Sequence, residues 1–179
     1  MFKFFLSILL MFSMTGCMNQ KAVLKPTKFS KETQQVLQLF QDQVAFYSTK
    51  VPENARSVEI HLWTLNDGKW NDEMISQGEA KDDDFAMQIL DSSIRLIHYD
   101  DEGSVSSTIN RKPIDIKDMG TAICRVEEPK EIKIGDHIPL WIQIYTRGDH
   151  FSVGENFKEL DYEAGFAITY VALEEPISD

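Results

Sequence analysis

The sequence predicts a mainly β protein, an antiparallel β-sandwich preceded by one amphipathic helix. Three observations predict it. From Arg56 onward, apolar and polar residues alternate with a period near two, in short runs. Turn-forming clusters divide the runs at Asn66-Asp67-Gly68, Asp82-Asp83-Asp84, Asp91-Ser92-Ser93 and Asp100-Asp101-Glu102-Gly103, the regular punctuation of an all-β domain. Before them, residues 30–49 repeat at helical spacing instead.

Ser30 caps the expected helix, and Val36, Leu37, Phe40, Val44 and Tyr47 fall on one face, widened by Leu39 and Phe46. Gln34, Gln35, Gln38, Gln41 and Asp42 form the polar side, and Val51-Pro52 ends it. Such an apolar face covers a core, or the open end of a sheet, or else docks a partner.

The stretch "SVEIHLWTL" then places Val58, Ile60 and Leu62 on one face and Glu59, His61 and Trp63 on the other. Asn66-Asp67-Gly68 is a hairpin signal, because Asn and Gly tolerate positive φ, and residues 69–79 return. Residues 85–90, 94–99, 105–109 and 120–126 read as further strands, with a crossing loop at 111–118 around Pro113 and a short edge strand and turn at 132–136. In "IPLWIQIYT", Ile138, Leu140, Ile142 and Ile144 are expected inward, and Trp141, Gln143 and Tyr145 outward; Pro139 confines the start to a sheet edge or a strand beginning. Residues 148–160 are a loop, and 162–173 form the last strand, with Phe166, Ile168 and Tyr170 facing one way. About eight short strands after one helix fit two packed sheets. The architecture is immunoglobulin-like in outline only, since the Cys…Trp…Cys signature of antibody domains is missing.

Lys3 stands just ahead of the nine-residue run "FFLSILLMF". A membrane span needs roughly 20 apolar residues, so this run has the size of a signal-peptide core. Met14-Thr15-Gly16-Cys17 follows, and it resembles the lipobox of bacterial lipoproteins, with Met14 in the place usually held by Leu. The resemblance implies that the Cys17 thiol receives a diacylglyceryl group and that signal peptidase II cuts between Gly16 and Cys17. It makes the new amino group a further acylation site. It also implies a protein anchored in membrane lipid at the extracytoplasmic face of a bacterial membrane. That is the cell membrane, or the outer membrane in a two-membrane host, which Met18 in place of Asp favours. One acyl chain anchors marginally, whereas two or more hold stably. An ordinary secretory signal with an incidental Cys is the alternative.

On the lipoprotein reading, residues 1–16 are removed, 17–29 form the lipidated Cys and a tether, and 30–179 form one domain. The tether carries Lys21, Lys25 and Lys28 without an acid, and Pro26 prevents helix. Such a segment is attracted to an anionic membrane surface or serves as a plain linker. The globular part is similar in layout to small helix-then-sandwich lipoproteins, a likeness that brings no functional residues with it.

The formal charge of −11 excludes nucleic acid as a partner. It favours solubility, or a cationic partner. Only two cysteines are present, Cys17 and Cys124. With Cys17 lipidated there is no disulfide framework, and Cys124, alternating with Ala122 and Val126, reads as a buried thiol. A catalytic thiol needs a nearby His and an electropositive setting.

Motifs for chemistry are scarce. His61, His98, His137 and His150 show no metal-ligand spacing, and neither acidic run has the alternating pattern of a calcium loop. No nucleophile elbow, phosphate loop or dinucleotide fingerprint occurs, so no catalytic residue, metal or cofactor is assigned. Trp63, Trp141 and Tyr145, with Trp70, are expected on outward strand faces, where they form a flat binding platform or lie beneath the 30–49 helix or a second sheet. Three functions follow. The first is a non-enzymatic lipoprotein that binds a cell-envelope protein or another envelope component. The second is a small hydrolase or metal-dependent enzyme with a scattered site around His98, Asp100 and Asp101. The third is a carrier of lipid or another small ligand, which requires a deep apolar cavity between the sheets.

Overall fold

Alternation decides the fold over most of the chain. The structure, a computed structural model, describes residues 21–40, 43–100, 103–148, 153–159 and 162–177. The elements are β1 (Val23–Pro26), α1 (Lys31–Leu37) running into a 3-10 turn (Gln38–Phe40), β2 (Val44–Lys50), β3 (Ser57–Asn66), β4 (Lys69–Glu79), β5 (Asp83–Ile89), β6 (Ser93–Asp100), β7 (Gly103–Asn110), β8 (Gly120–Arg125), β9 (Lys130–Glu131), β10 (Ile138–Thr146), a second 3-10 turn (Phe157–Glu159) and β11 (Ala164–Leu173). Two antiparallel sheets result, with orders β7-β6-β5-β2-β1-β9 and β4-β3-β11-β10-β8. They pack face to face as a sandwich, Leu24, Tyr47, Phe85 and Leu96 of the first against Ile60, Leu62, Phe166 and Ile168 of the second. The hairpin between β3 and β4 turns at Asp67 and Gly68, with φ of 50° and 72°, the two positive values that a type I′ turn requires.

The expected helix over 30–49 is two different elements. Ser30 does cap α1, its hydroxyl accepting from the Thr33 N–H at 3.3 Å. The helix ends at Leu37, and the chain then turns into strand β2. In β2 the alternate residues Ala45, Tyr47 and Thr49 are buried, and its backbone pairs with both β1 and β5. Two ladders of backbone hydrogen bonds plus a buried aromatic outweigh a weak helical stripe. The helix itself covers no core: none of its residues is buried, and Val36 is 57% exposed.

The expected tether over 17–29 is also partly fold. Residues 23–26 form β1, paired between β2 and β9, and Leu24 is fully buried. The first sheet therefore includes Val23–Pro26, ahead of Ser30. Gly16 and Cys17, with the rest of the expected signal segment, lie outside the described residues.

Strand β10 departs most from expectation. Its pairing with β11 shifts register between Pro139 and Trp141, leaving Leu140 as an extra residue. A bulge of one residue exchanges the faces of everything beyond it. Ile138, Leu140 and Trp141 therefore all enter the core between the sheets. Ile142 and Ile144 point to the opposite face and form a second apolar cluster with Leu65, Phe157, Tyr162 and Ala167. The segment around Phe157 covers this outer face, so the second sheet is buried on both sides there. At β11 the close packing shows at Gly165, where a Cβ would stand 2.9 Å from the Gln143 carbonyl oxygen.

Candidate functional site

The three aromatics expected to form one platform lie on two faces. Trp141 is 1% exposed and Tyr145 6%, both turned inward by the β10 bulge. Trp141 Nε1–H donates to Gln143 Oε1 at 3.4 Å, and the Gln143 amide donates to the Tyr145 hydroxyl at 2.7 Å. Trp63 alone stays on the outer face, half-buried. The Lys158 ammonium stands 3.1 Å above its ring centroid, and Trp70 beside it is capped edge-on by Phe157 at 4.7 Å. Their cover is thus the 157–159 segment, not the helix.

That outer face also carries a polar cluster. His61 is held by Asp72 at Nδ1 and by Glu59 at Nε2, both at 2.8 Å. His137 Nδ1 and Trp63 Nε1 both reach the Thr169 hydroxyl, at 2.8 and 3.0 Å. Burial, then the neighbouring His61 and Lys158, push His137 below its ordinary value. His61, His137 and Trp63 find partners within the cluster, whereas the buried Trp70 Nε1–H has none.

A different arrangement lies between the sheets, where β4 faces β6 and β7. A cleft of about 420 Å³ opens there, within the range of small-molecule sites. Val58, Ile60, Phe85 and Val105 supply apolar wall. His98, expected to act with Asp100 and Asp101, instead pairs with Asp83, Nδ1 to Oδ2 at 2.8 Å. The partner comes from across the ladder: Phe85 sits opposite His98, so Asp83 is its diagonal neighbour. Asp101 and the Asp100 side chain lie outside the described residues, as does His150. Because a carboxylate only accepts, Nδ1 carries the proton. Phe85 stacks against His98 at 5.9 Å and lies parallel to Tyr170 at 6.2 Å.

Tyr170 gives the cleft its unusual property. It is 3% exposed, lines the cleft, and its hydroxyl has no hydrogen-bond partner. Thr49 is its hydroxyl neighbour, but no hydrogen bond joins the two; the Thr49 oxygen donates to the Asp83 carbonyl at 3.1 Å and accepts from the Asp83 N–H at 3.2 Å. Burial pushes the Tyr170 phenol far above its usual range, with Thr49 opposing the shift. The group therefore keeps its proton as a donor. Sequence gave Tyr170 its inward face; its missing partner has no signal along the chain.

The cleft holds no assembled nucleophile. Ser76 and Ser107 line it, yet among the described residues the hydrogen-bond partner of His98 is Asp83 alone. Acyl transfer needs a hydroxyl or thiol paired with its base. Cys124 is remote from His98, half-buried in another hollow with Glu127, Glu128 and Glu155. Burial, then Glu155 and Glu127, push its thiol up, the opposite of activation. Of the first acidic run, Asp83 holds His98 and Asp82 accepts from the Val51 N–H at 3.0 Å. Among the described residues no three His, Cys, Asp or Glu side chains are grouped to hold a metal ion. No family model, curated protein or solved structure matches the chain. The cleft is therefore read from its own residues.

Proposed function

We propose that this protein is a lipid-anchored extracytoplasmic binding module, non-enzymatic, whose ligand occupies the cleft between the sheets. The observation that carries the reading is a lined cleft with a buried, unpartnered hydroxyl and, among the described residues, no hydroxyl or thiol paired with a base. Binding, not bond-breaking, is what such a site is equipped for. The anchor rests on the Met14-Thr15-Gly16-Cys17 motif.

The fold adds a geometric consequence to that anchor. Strand β1 starts at Val23, six residues after Cys17, and six extended residues reach about 20 Å. The sandwich then sits close against its membrane, with Lys21, Lys25 and Lys28 near the surface. Replacing Cys17 by Ala tests the anchor. The expected outcome is release from the membrane fraction, or retention of the uncut precursor, with loss of labelling by an alkyne-tagged fatty acid. An unchanged membrane fraction, an unchanged N-terminus and unchanged labelling would overturn it.

A further inference from the structure

We propose that the cleft takes a small uncharged amphiphile with an apolar body and a hydrogen-bond acceptor, a carbonyl or ether oxygen, to which the Tyr170 hydroxyl donates. This deepens the binding reading above and rests on it.

Three observations fix the class. The walls at Val58, Ile60, Phe85 and Val105 suit an apolar body. The Tyr170 hydroxyl is buried, protonated and unpartnered, so it lacks an acceptor. A buried donor without an acceptor is a standing cost that a ligand oxygen removes. Charge is disfavoured in either sign. An anion would face Asp82 and Asp83, whose charges already bear on Tyr170. A cation would have to take Asp83 from His98. At the rim the exposed Glu79 and Lys81 are of opposite sign and favour neither. The hydroxyl has almost no exposed surface, so the oxygen must enter the Thr49–Asp83 corner by moving lining side chains. The apolar body occupies space that is already open.

A matched pair of probes tests this on the full chain in lipid nanodiscs: 2-acetylnaphthalene and 2-ethylnaphthalene, alike in shape and differing in the carbonyl. Equilibrium dialysis against empty nanodiscs removes the contribution of the lipid. Three proteins are compared, the parent, Tyr170→Phe, and Ser107→Trp. The last change places bulk over the mouth from an exposed position on β7. We expect the parent to bind the ketone roughly tenfold more tightly than the hydrocarbon. Tyr170→Phe should erase that preference while changing hydrocarbon binding by less than about twofold. Ser107→Trp should abolish both. Binding of both probes that is sensitive to Ser107→Trp, with the preference absent or untouched by Tyr170→Phe, overturns the acceptor claim and leaves the cleft as a binding site. Binding of neither probe to folded parent protein, or binding indifferent to Ser107→Trp, overturns the cleft reading and the acceptor claim together.

Discussion

Two tyrosines flank Phe85 inside the sandwich and meet opposite fates. Tyr47 projects from the first sheet, its ring 5.4 Å from Phe85, and its hydroxyl donates to the Leu140 carbonyl of the second sheet at 2.8 Å. Tyr170 projects from the second sheet, 6.2 Å from the same ring, and its hydroxyl meets no acceptor. Both are buried and both phenols are pushed far above their ordinary value by burial. The backbone opposite each of them makes the difference. Tyr47 faces the β10 bulge, where Leu140 is the residue left over from the β11 ladder and its carbonyl accepts from both the Tyr47 hydroxyl and the Val126 N–H. Tyr170 faces a regular stretch, where the Thr49 oxygen is bonded to Asp83 as donor and as acceptor and makes no hydrogen bond to the phenol. An irregular strand closes the interior at one place, and a regular one leaves it open at the other.

The comparison can be broken in several ways. Phe85→Ala removes the ring that both tyrosines share, and Phe85 is 2% exposed. We expect a loss of about 3–5 kcal/mol in urea unfolding; a loss under about 1 kcal/mol would mean the two regions are independent of it. Tyr47→Phe removes one of two donors to the Leu140 carbonyl, which keeps the Val126 N–H at 3.3 Å, and should cost about 1 kcal/mol. Alkaline titration tests both groups together. Each phenol has a folded pKa raised above the ordinary value of 10. The folded state thus binds the proton more tightly, so this stability is fully present below pH 10 and is lost as pH rises through the folded values. The slope is at most about 1.4 kcal/mol per pH unit for each tyrosine. Unfolding free energies measured above pH 10 should fall less steeply in either Phe variant; equal slopes in parent and variants would contradict the burial of these groups. Tyr170→Phe at neutral pH should raise stability by about 1 kcal/mol, because no hydrogen bond is lost and a buried donor without an acceptor is removed. A cost equal to that of Tyr47→Phe would show that the Tyr170 hydroxyl has a partner after all.

Much of the fold is legible where alternation is clean. Val58, Ile60 and Leu62, the Asp67-Gly68 turn, and Phe166, Ile168 and Tyr170 all stand where their pattern puts them. The pattern misleads in two places, each for a physical reason. Val44, Phe46 and Tyr47 fit a helical stripe and a strand equally well, and only the pairing of β2 with β1 and β5 decides. In β10 strict alternation assumes an uninterrupted ladder, and the extra Leu140 exchanges inside for outside from Trp141 onward. Pro139 was the one local sign of irregularity, and it precedes the pairing with β8, which begins at Trp141. The cleft was less legible than the fold. His98 and Asp83 meet across a ladder whose register no single strand encodes. The state of the Tyr170 hydroxyl depends on how it meets Thr49, a residue of the other sheet.

The burial of the second sheet on both faces has a consequence for exchange with deuterated water. Strand β11 is paired on both sides, by β3 and β10, and Gly165 to Ala172 are all buried. Its amide protons should exchange only through global unfolding and report the full stability of the molecule. The strands around the cleft include β4 and β7, each at the margin of its sheet, where the outward amides exchange through small local openings. A molecule entering the cleft therefore need not wait for the slow centre to move. Its arrival should be recorded as slowed exchange in β4 and β7, with β11 left at the rate it already had.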